Sequence, residues 1–281
     1  MKVTLHVPGM HNVSNALAAI ALADDLGLST DAVAKGLSDF GGADRRFQYK
    51  GCVDGVTIID DYAHLPEYHC DVLLNQNIGA ELLTYQGNIG RKLLGLDYVL
   101  LRQEFRDAHK RAQMRIRPQR PLNILVTLGG GNFIEYLEKI AAEMTLPEMT
   151  GHSVRIIQGA MNTERIRAAF ARGPARLEVL PRVDDMPSLL LDTDLCITAG
   201  GSTCWELCCL GVPFLTILGA ENQRHICYWL AEKGYAPRFS RVAFMAMLTD
   251  AQYCRHMVAR LDQLVDAQGA ARVLASCKQL K

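Results

Sequence analysis

The stretch from 194 to 217, DLCITAGGSTCWELCCLGVPFLTI, constrains the fold more than any other part of the sequence. It holds an apolar run, a Gly-Gly-Ser-Thr turn, a helix-length segment, a Gly-Val-Pro turn and a second apolar run. Leu195, Cys196 and Ile197 form the continuous apolar run that a fully buried parallel strand needs. The stretch therefore predicts one strand–helix–strand repeat of a parallel sheet.

The Gly-Gly-Ser-Thr turn of this repeat is the first candidate for ligand contact. Gly200 and Gly201 allow a sharp turn and a close approach of the backbone to a ligand. Ser202 and Thr203 begin a helix whose first amides have no internal partner, which suits a phosphate, although N-capping explains the same two residues. Parallel α/β folds bind ligands at the carboxyl edge of their strands, where this turn is predicted to lie.

The same alternation extends over the second half of the chain and predicts an α/β fold. Strands are predicted at 123–131, 154–159 and 177–181, and helices at 133–144, 163–171, 184–191, 220–233, 242–248, 250–265 and 267–280. Upstream, strands are predicted at 3–7, 45–50 and 56–59, and helices at 11–27 and 30–40. We expect three regions: 1–67, a connecting segment at 68–120, and one complete Rossmann-like domain at 121–281.

Composition excludes several classes of protein. The formal net charge is zero, so no basic field favours nucleic acid or an anionic membrane. No apolar run approaches the roughly 20 residues that span a bilayer, and the first residues do not form a signal peptide. The nine cysteines lie mostly in apolar runs, which favours core packing in a reducing cytoplasm over a disulfide framework. No metal site and no cofactor are predicted.

A second glycine loop ends the segment 123–131, which is predicted to be a strand and then this loop. Gly129, Gly130, Gly131 and Asn132 follow an apolar run and precede a helix, so their amides could approach a diphosphate. A single glycine triplet also fits an ordinary tight turn. Together with the loop at Gly201, it favours a ligand site.

The first region resembles the bacterial Mur ligases, especially those that join UDP-N-acetylmuramate to alanine. The matching segments are PGMHNVSNALAAIALADDLG (8–27), FGGADRRFQYKG (40–51) and IIDDYAHLP (58–66). The resemblance implies that His11, Asn12 and Asn15 contact the nucleobase of ATP. Leu65 stands at the position of a family histidine, and the sequence holds no G-x-x-x-x-G-K-[ST] phosphate loop. Ligase activity is therefore not expected.

The rest of the chain resembles the nucleotide-sugar hydrolases of pseudaminic-acid biosynthesis, which cleave UDP-diacetamido-trideoxy-altropyranose. These belong with the GT-B glycosyltransferases and are related to the MurG-type transferase. The matching segments are CDVLLNQN, YVLLRQEF, ILVTLGGGN, ITAGGSTCWELCCLGVPFLTI and AENQ. The resemblance implies a GT-B C-terminal domain that binds a UDP-sugar, after a truncated N-terminal region. The chain thus resembles a chimera of two fragments that meet at IIDDYA.

The hydrolase resemblance assigns further residues to the site. It implies that Glu206 holds the ribose hydroxyls, whereas Thr203 and Glu206 also have the spacing of a capping box. Asn222 and Gln223 could bind sugar hydroxyls and acetamido groups, or be the polar start of a helix. The resemblance places the uracil near 184–186.

His11 is the candidate catalytic residue. It lies between a predicted strand and a predicted helix, as the catalytic histidine of the hydrolase family does, and a neutral imidazole there could act as general base on water. The alternative is a capping histidine without a catalytic role, because the family arginine three residues on is Ser14 here. The sequence predicts a UDP-sugar-binding protein of hydrolase or transferase type, with a non-catalytic chimera or binding module as the alternative.

Overall fold

The structure is a computed structural model, and it describes residues 3–4, 10–25, 27–39, 48–53, 56–60, 67–113, 122–261 and 263–279. Several side chains within the first elements, His11 among them, lie outside this description. The chain forms two compact units, Met1–Tyr68 and His69–Lys281. The described part of the predicted connecting segment falls in the second unit from His69 onward.

The first unit begins with the two predicted helices. Helix α1 spans Met10–Asp25, and Gly27 follows it with a φ of 68°, the left-handed conformation that commonly ends a helix. Helix α2 spans Thr30–Asp39. The Ser29 hydroxyl caps α2 by accepting a hydrogen bond from the Ala32 amide at 3.3 Å. Both helix predictions are confirmed.

Two antiparallel strands follow in the first unit. Strand β1 spans Gln48–Val53 and β2 spans Val56–Asp60, with Val53 opposite Val56. The prediction that the first of these strands ends at residue 50 is wrong, because its pairing with β2 continues to Val53. Val3 and Thr4 are not in a strand, and the rest of the strand predicted at 3–7 lies outside the described residues, as does the segment 61–66.

The second unit opens with a two-stranded sheet of β3 (Tyr68–Asn75) and β4 (Gly87–Leu94). Short 3₁₀ turns follow each strand, and helix α3 spans Gln103–Gln113. The C-terminal helix of the chain contacts the segment that contains β4 and the 3₁₀ turn after it. Arg272 donates to the Asp97 carbonyl at 2.9 Å, and Arg91 donates to the Gln279 side chain at 2.7 Å.

A five-stranded sheet forms the centre of the second unit. Its strands are β5 (Asn123–Thr127), β6 (Ser153–Ile157), β7 (Arg176–Leu180), β8 (Leu195–Ala199) and β9 (Phe214–Ile217). The order is β7-β6-β5-β8-β9, and every neighbouring pair is parallel. The order reverses at β5, which is the arrangement of a doubly wound Rossmann-like sheet. The predicted α/β fold class is confirmed.

Helices connect and follow these strands. They are α4 (Ile134–Glu143), α5 (Thr163–Phe170), α6 (Met186–Leu191), α7 (Thr203–Cys209), α8 (Arg224–Glu232), α9 (Arg241–Thr249), α10 (Ala251–Leu261) and α11 (Gly269–Lys278). Two predicted starts are wrong. Helix α6 begins at Met186 because Asp185 caps it, and a 3₁₀ turn at Glu221–Gln223 precedes α8.

The core of the second unit lies on both faces of the sheet. All residues of β8 and β9 are buried, as the apolar run at 194–217 predicts. The predicted packing role of the cysteines is confirmed: Cys204, Cys208 and Cys209 are fully buried, and burial raises the pKa of the Cys208 thiol well above its ordinary value. Within the residues described, no helix is both long and apolar enough to cross a membrane.

Candidate functional site

The two glycine loops predicted from the sequence lie side by side. Strands β5 and β8 are neighbours in the sheet, and their register places Thr127 opposite Thr198 near their carboxyl ends. The loops that follow, 129–132 and 200–202, therefore leave the same edge of the sheet. This edge contains the point where the strand order reverses, which is the ligand-binding position of doubly wound folds.

Three glycines of these loops face open space. A β-carbon placed on Gly129, Gly130 or Gly201 would meet no heavy atom within 4 Å beyond the glycine itself and its two neighbours in the chain. Gly129 also has a φ of +88°, a conformation that residues with a side chain rarely adopt. The backbone is thus accessible at both loops.

The other glycines of this edge hold the loops in place by close packing. A β-carbon on Gly200 would lie 2.4 Å from the Cys227 sulfur, and one on Gly131 would lie 2.6 Å from the Phe133 ring. A β-carbon on Gly159 would lie 2.5 Å from the Gly129 carbonyl oxygen. The packed glycines let neighbouring segments approach closely, and the open ones leave a crevice between the loops.

The hydroxyl groups at the start of α7 are not used for capping. Ser202 occupies the N-cap position with φ −59° and ψ −25°, and its side chain makes no capping hydrogen bond. Ser202 is exposed and Thr203 is half-buried. The Gly201 amide donates to the Ala199 carbonyl at 2.8 Å, which closes the turn. Neither helix-capping interpretation of these residues is seen.

Glu206 is a half-buried carboxylate one turn into α7. Within the described part of the chain it has no hydrogen-bond or ion-pair partner, and the capping box with Thr203 is not formed. Burial raises the pKa of the Glu206 carboxyl above its ordinary value, and the Arg102 guanidinium partly offsets that rise. A desolvated carboxylate without a partner is able to accept hydrogen bonds from two hydroxyls of a ligand.

A cleft of about 350 Å³ lies between the start of α3 and the start of α6. Its lining residues carry charges of both signs: Arg102, Glu104, Asp107, Ala108, Arg111, Asp184, Asp185, Pro187 and Ser188. Asp185 caps α6 by accepting from the Ser188 amide at 3.0 Å. Hydrogen bonds from Ser188 lower the pKa of Asp185, and Arg111 and Arg102 lower it further.

Arg102 is a residue that the sequence prediction missed. It lines the cleft and also acts electrostatically on both Asp185 and Glu206, so it connects the cleft with the start of α7. Its position in the matching segment YVLLRQEF was the available signal. The segment gave no reason to prefer this arginine over the many others, because its proximity to Glu206 arises only when α3 packs on α7.

The two predicted amide side chains, Asn222 and Gln223, have different surroundings. The Gln223 side-chain oxygen accepts a hydrogen bond from the Gly219 amide at 3.1 Å, and the Gln223 backbone packs against Gly200. Asn222 and Asn132 are exposed. His11 lies in the first turn of α1 in the first unit, and its side chain is outside the described residues. The structure therefore groups Gly129, Gly130, Gly131, Asn132, Gly201, Ser202, Thr203, Glu206 and Gln223 at one edge of the sheet.

Comparison with known proteins gives different relatives for different segments. Residues 123–228 match the model of the Glycosyltransferase family 28 C-terminal domain. A segment of 64 residues is 72% identical to the UDP-N-acetylmuramate–L-alanine ligase of Agathobacter rectalis, which covers 23% of this chain and 14% of the ligase. The corresponding ligase of Clostridium perfringens is 53% identical over 66 residues, 24% of this chain and 14% of the ligase. The chain thus spans about 14% of the length of these ligases.

Two solved structures show partial similarity in fold. MurG from Acinetobacter baumannii has a TM-score of 0.49 at 22% identity, over 59% of this chain and 54% of that chain. A UDP-N-acetylglucosamine 2-epimerase, described as putative, from Listeria monocytogenes has a TM-score of 0.45 at 16% identity, over 62% and 50% of the two chains. The match to the Glycosyltransferase family 28 C-terminal domain at 123–228 lies within the second unit, so this unit is similar to that class of domain.

Proposed function

We propose that the second unit binds a UDP-sugar in the crevice between the two glycine loops, as nucleotide-sugar hydrolases and glycosyltransferases do. One observation carries the proposal. Gly129, Gly130 and Gly201 expose their backbone to open space at the ends of adjacent parallel strands. Open backbone at such an edge lets a diphosphate approach closely and accept hydrogen bonds from neighbouring amides without needing a charged side chain.

Each part of the ligand has a candidate partner. The diphosphate would accept hydrogen bonds from the amides of the loop at 129–132 and from the amides and hydroxyls of Ser202 and Thr203. The Gly201 amide is not among the donors, because it already donates to the Ala199 carbonyl. Glu206 would hold the ribose, because it is a half-buried carboxylate without a partner among the described residues. The cleft of about 350 Å³ beside Arg102 has the volume of a small ligand pocket and would take the uracil.

The sugar would lie towards the side chains of Asn222 and Gln223. Amide groups both donate and accept, which suits hydroxyl and acetamido groups. One lone pair of the Gln223 oxygen is already used by Gly219, so its amino group is the part left for a ligand.

The finer proposal is cleavage of the bond between the sugar and the diphosphate. In a hydrolase, water attacks the anomeric carbon, the carbon–oxygen bond to UDP breaks, and UDP leaves with the bonding electrons. His11 is the candidate base that takes the proton from water. The proposed setting is the cytoplasmic synthesis of bacterial surface sugars, of the pseudaminic-acid type. Binding without turnover is the alternative.

The test compares nucleotides by calorimetry on the whole chain. UDP and UDP-N-acetylglucosamine are expected to bind, and ADP and ATP are expected to bind at least tenfold more weakly. Preference for ADP or ATP would instead favour a ligase-type site, although the sequence lacks a phosphate loop. The absence of binding by any of them would contradict the proposal.

A variant separates ribose contact from a structural role of Glu206. Glu206→Gln should weaken UDP binding by about tenfold to a hundredfold, because hydrogen bonds to a charged group are worth about 1.5–3 kcal/mol. The control is Glu164→Gln, which removes an exposed carboxylate from the first turn of α5. Equal affinities of the two variants would assign Glu206 no part in binding.

A further inference from the structure

A second, smaller cleft lies at the carboxyl end of β9, on the side of α4. It has a volume of about 200 Å³ and is lined by Tyr136, Lys139, Thr216, Ile217, Leu218, Arg238 and Phe239. None of these residues belongs to the glycine loops or to the cleft beside Arg102. We propose that this second cleft binds a phosphate group.

The lining of the second cleft is cationic. It contains one lysine and one arginine and no carboxylate. Within the part of the chain that the structure describes, neither Lys139 nor Arg238 forms an ion pair. Glu143, one turn further along α4, lies 3.7 Å from Arg241 instead. The two positive charges are therefore left for a ligand of opposite charge.

Aromatic rings hold the two cations in position. The Lys139 ammonium lies 5.5 Å from the centre of the Tyr136 ring, and the Arg238 guanidinium lies 4.6 Å from the centre of the Tyr228 ring. The backbone beside Arg238 is also fixed, because the Thr216 amide donates to the Pro237 carbonyl at 3.0 Å and the Phe239 amide donates to the Thr216 carbonyl at 2.8 Å. Arg238 thus sits on a short segment paired with β9.

Thr216 contributes a buried hydroxyl to the lining of the second cleft. It is 1% exposed, and its hydroxyl oxygen makes no hydrogen bond of ordinary geometry to the described residues. Its neighbour is the Cys227 thiol: burial raises the pKa of that thiol, and a hydrogen bond from the Thr216 side chain partly offsets the rise. Sulfur is a weak hydrogen-bond acceptor, so a phosphate oxygen in the cleft that Thr216 lines would be the stronger partner for this hydroxyl.

Volume decides how much of a ligand enters. Small-molecule pockets that hold a whole ligand measure about 300–1,000 Å³, so a cleft of about 200 Å³ is too small for a nucleotide. It has room for a phosphate group with several waters, at roughly 30 Å³ per water. The shared chemistry is a phosphate dianion, either free or carried by a sugar.

The test is a titration of inorganic phosphate into the whole chain at constant ionic strength, followed by the amide chemical shifts of Leu218 and Phe239. Lys139→Ala and Arg238→Ala should each weaken phosphate binding at least tenfold. The matched controls are Lys92→Ala and Arg260→Ala, whose cations also lie over tyrosine rings but outside the cleft, and these should leave the affinity unchanged.

Thr216→Val distinguishes a binding role from a folding role. It keeps the shape of the side chain and removes the hydroxyl, so phosphate affinity should fall severalfold with little change in the melting temperature. Comparing glucose 1-phosphate with inorganic phosphate identifies the source: tighter binding of the sugar phosphate assigns the cleft to a phosphorylated sugar, and equal binding assigns it to free phosphate.

Three results would overturn the proposal. The first is no shift of Leu218 or Phe239 at any phosphate concentration. The second is equal weakening by the control variants. The third is displacement of phosphate by UDP in the wild type, which would place the phosphate in the glycine crevice. The proposed UDP site and this cleft can fail separately, because Glu206→Gln affects only the former.

Discussion

Two apolar helices, one in each unit, have opposite surroundings. In α1, Leu17 and Leu22 are 61% and 60% exposed, and the described residues that it buries are alanines. In α7, Trp205 and Leu207 are 5% and 0% exposed. Helix α7 connects the fully buried strands β8 and β9 of the parallel sheet, and its apolar side chains are covered in the core of the second unit. Burial in this molecule thus depends on the neighbouring elements and not on the apolar content of a helix.

The strands of the two units differ in the same way. Ile58 and Ile59 in β2 are 47% and 46% exposed, whereas Ile197 in β8 is fully buried. The described part of the first unit therefore leaves apolar surface uncovered, although its sequence resembles that of a much larger ligase. The second unit has a core of its own, and this core holds the glycine loops in a defined place. High sequence identity over a short segment does not supply a core.

The largest expected difference between the units is in local stability. Amides of β8 should exchange with solvent at least 10³-fold more slowly than those of α1, because buried strands open only with the whole domain and helices with few buried side chains open locally. Hydrogen exchange followed by mass spectrometry measures both segments in one sample. Similar protection of α1 and β8 would show that Leu17 and Leu22 are covered in solution.

Truncating one leucine in each helix sharpens the comparison. Leu207→Ala should lower the free energy of unfolding of the second unit by about 2–5 kcal/mol, because it leaves a cavity in a packed core. Leu17→Ala should change stability by about 0.5 kcal/mol or less. Urea unfolding followed by fluorescence reports on the second unit, since Trp205 and Trp229 both lie there, and circular dichroism reports on both units.

A large effect of Leu17→Ala would contradict the comparison. It would mean that Leu17, which is 61% exposed in the structure, is covered by a packing partner in solution.

Element type and order were predictable from the sequence, because they depend on local patterns. The apolar runs, the glycine turns and the positions of α1, α2 and β5 to β9 follow from them. The exposure of α1 was not predictable, since its alanine- and leucine-rich pattern is that of a buried helix. Which neighbours cover a helix is decided by parts of the chain that are distant in sequence.

The candidate site was also predictable only in part. Gly129 and Gly201 were identified because a glycine turn after a strand is a local signal. Arg102 was missed because its action on Glu206 depends on the packing of α3. The alternative of a capping box between Thr203 and Glu206 is not seen, because Thr203 is the first residue of α7 and the N-cap position falls on Ser202, whose side chain makes no capping bond.

The carboxylate on α7 gives a pH test of the site. Burial raises the pKa of Glu206, so the carboxyl is protonated over part of the weakly acidic range above the ordinary glutamate value of about 4.3. If ribose binding needs the ionised form, UDP-sugar affinity should rise by about tenfold as pH increases through that range. UDP-N-acetylglucosamine is the ligand to use, because a terminal phosphate would itself titrate near pH ~6.

Glu206→Gln should remove this pH dependence. The sign for stability is opposite to that for binding: a raised pKa means that the folded state prefers the protonated form, so the contribution of Glu206 to stability falls as pH rises from the ordinary value to the raised one. A pH profile of affinity that is the same in the variant would assign the titration to another group.

The smallest expected effect concerns the serines that precede α2 and α7. The Ser29 hydroxyl accepts a hydrogen bond from the Ala32 amide, whereas the Ser202 hydroxyl makes no capping bond. Ser29→Ala should therefore destabilise α2 by about 1 kcal/mol, and Ser202→Ala should change stability by about 0.5 kcal/mol or less. Exchange rates of the amides in the first turn of each helix measure the two effects.

The two variants should have the opposite ranking in UDP affinity. Ser202→Ala should weaken UDP binding severalfold, because its hydroxyl is left for the diphosphate, and Ser29→Ala should not affect it. A loss of stability in Ser202→Ala without a loss of affinity would return this serine to an ordinary structural role at the start of its helix.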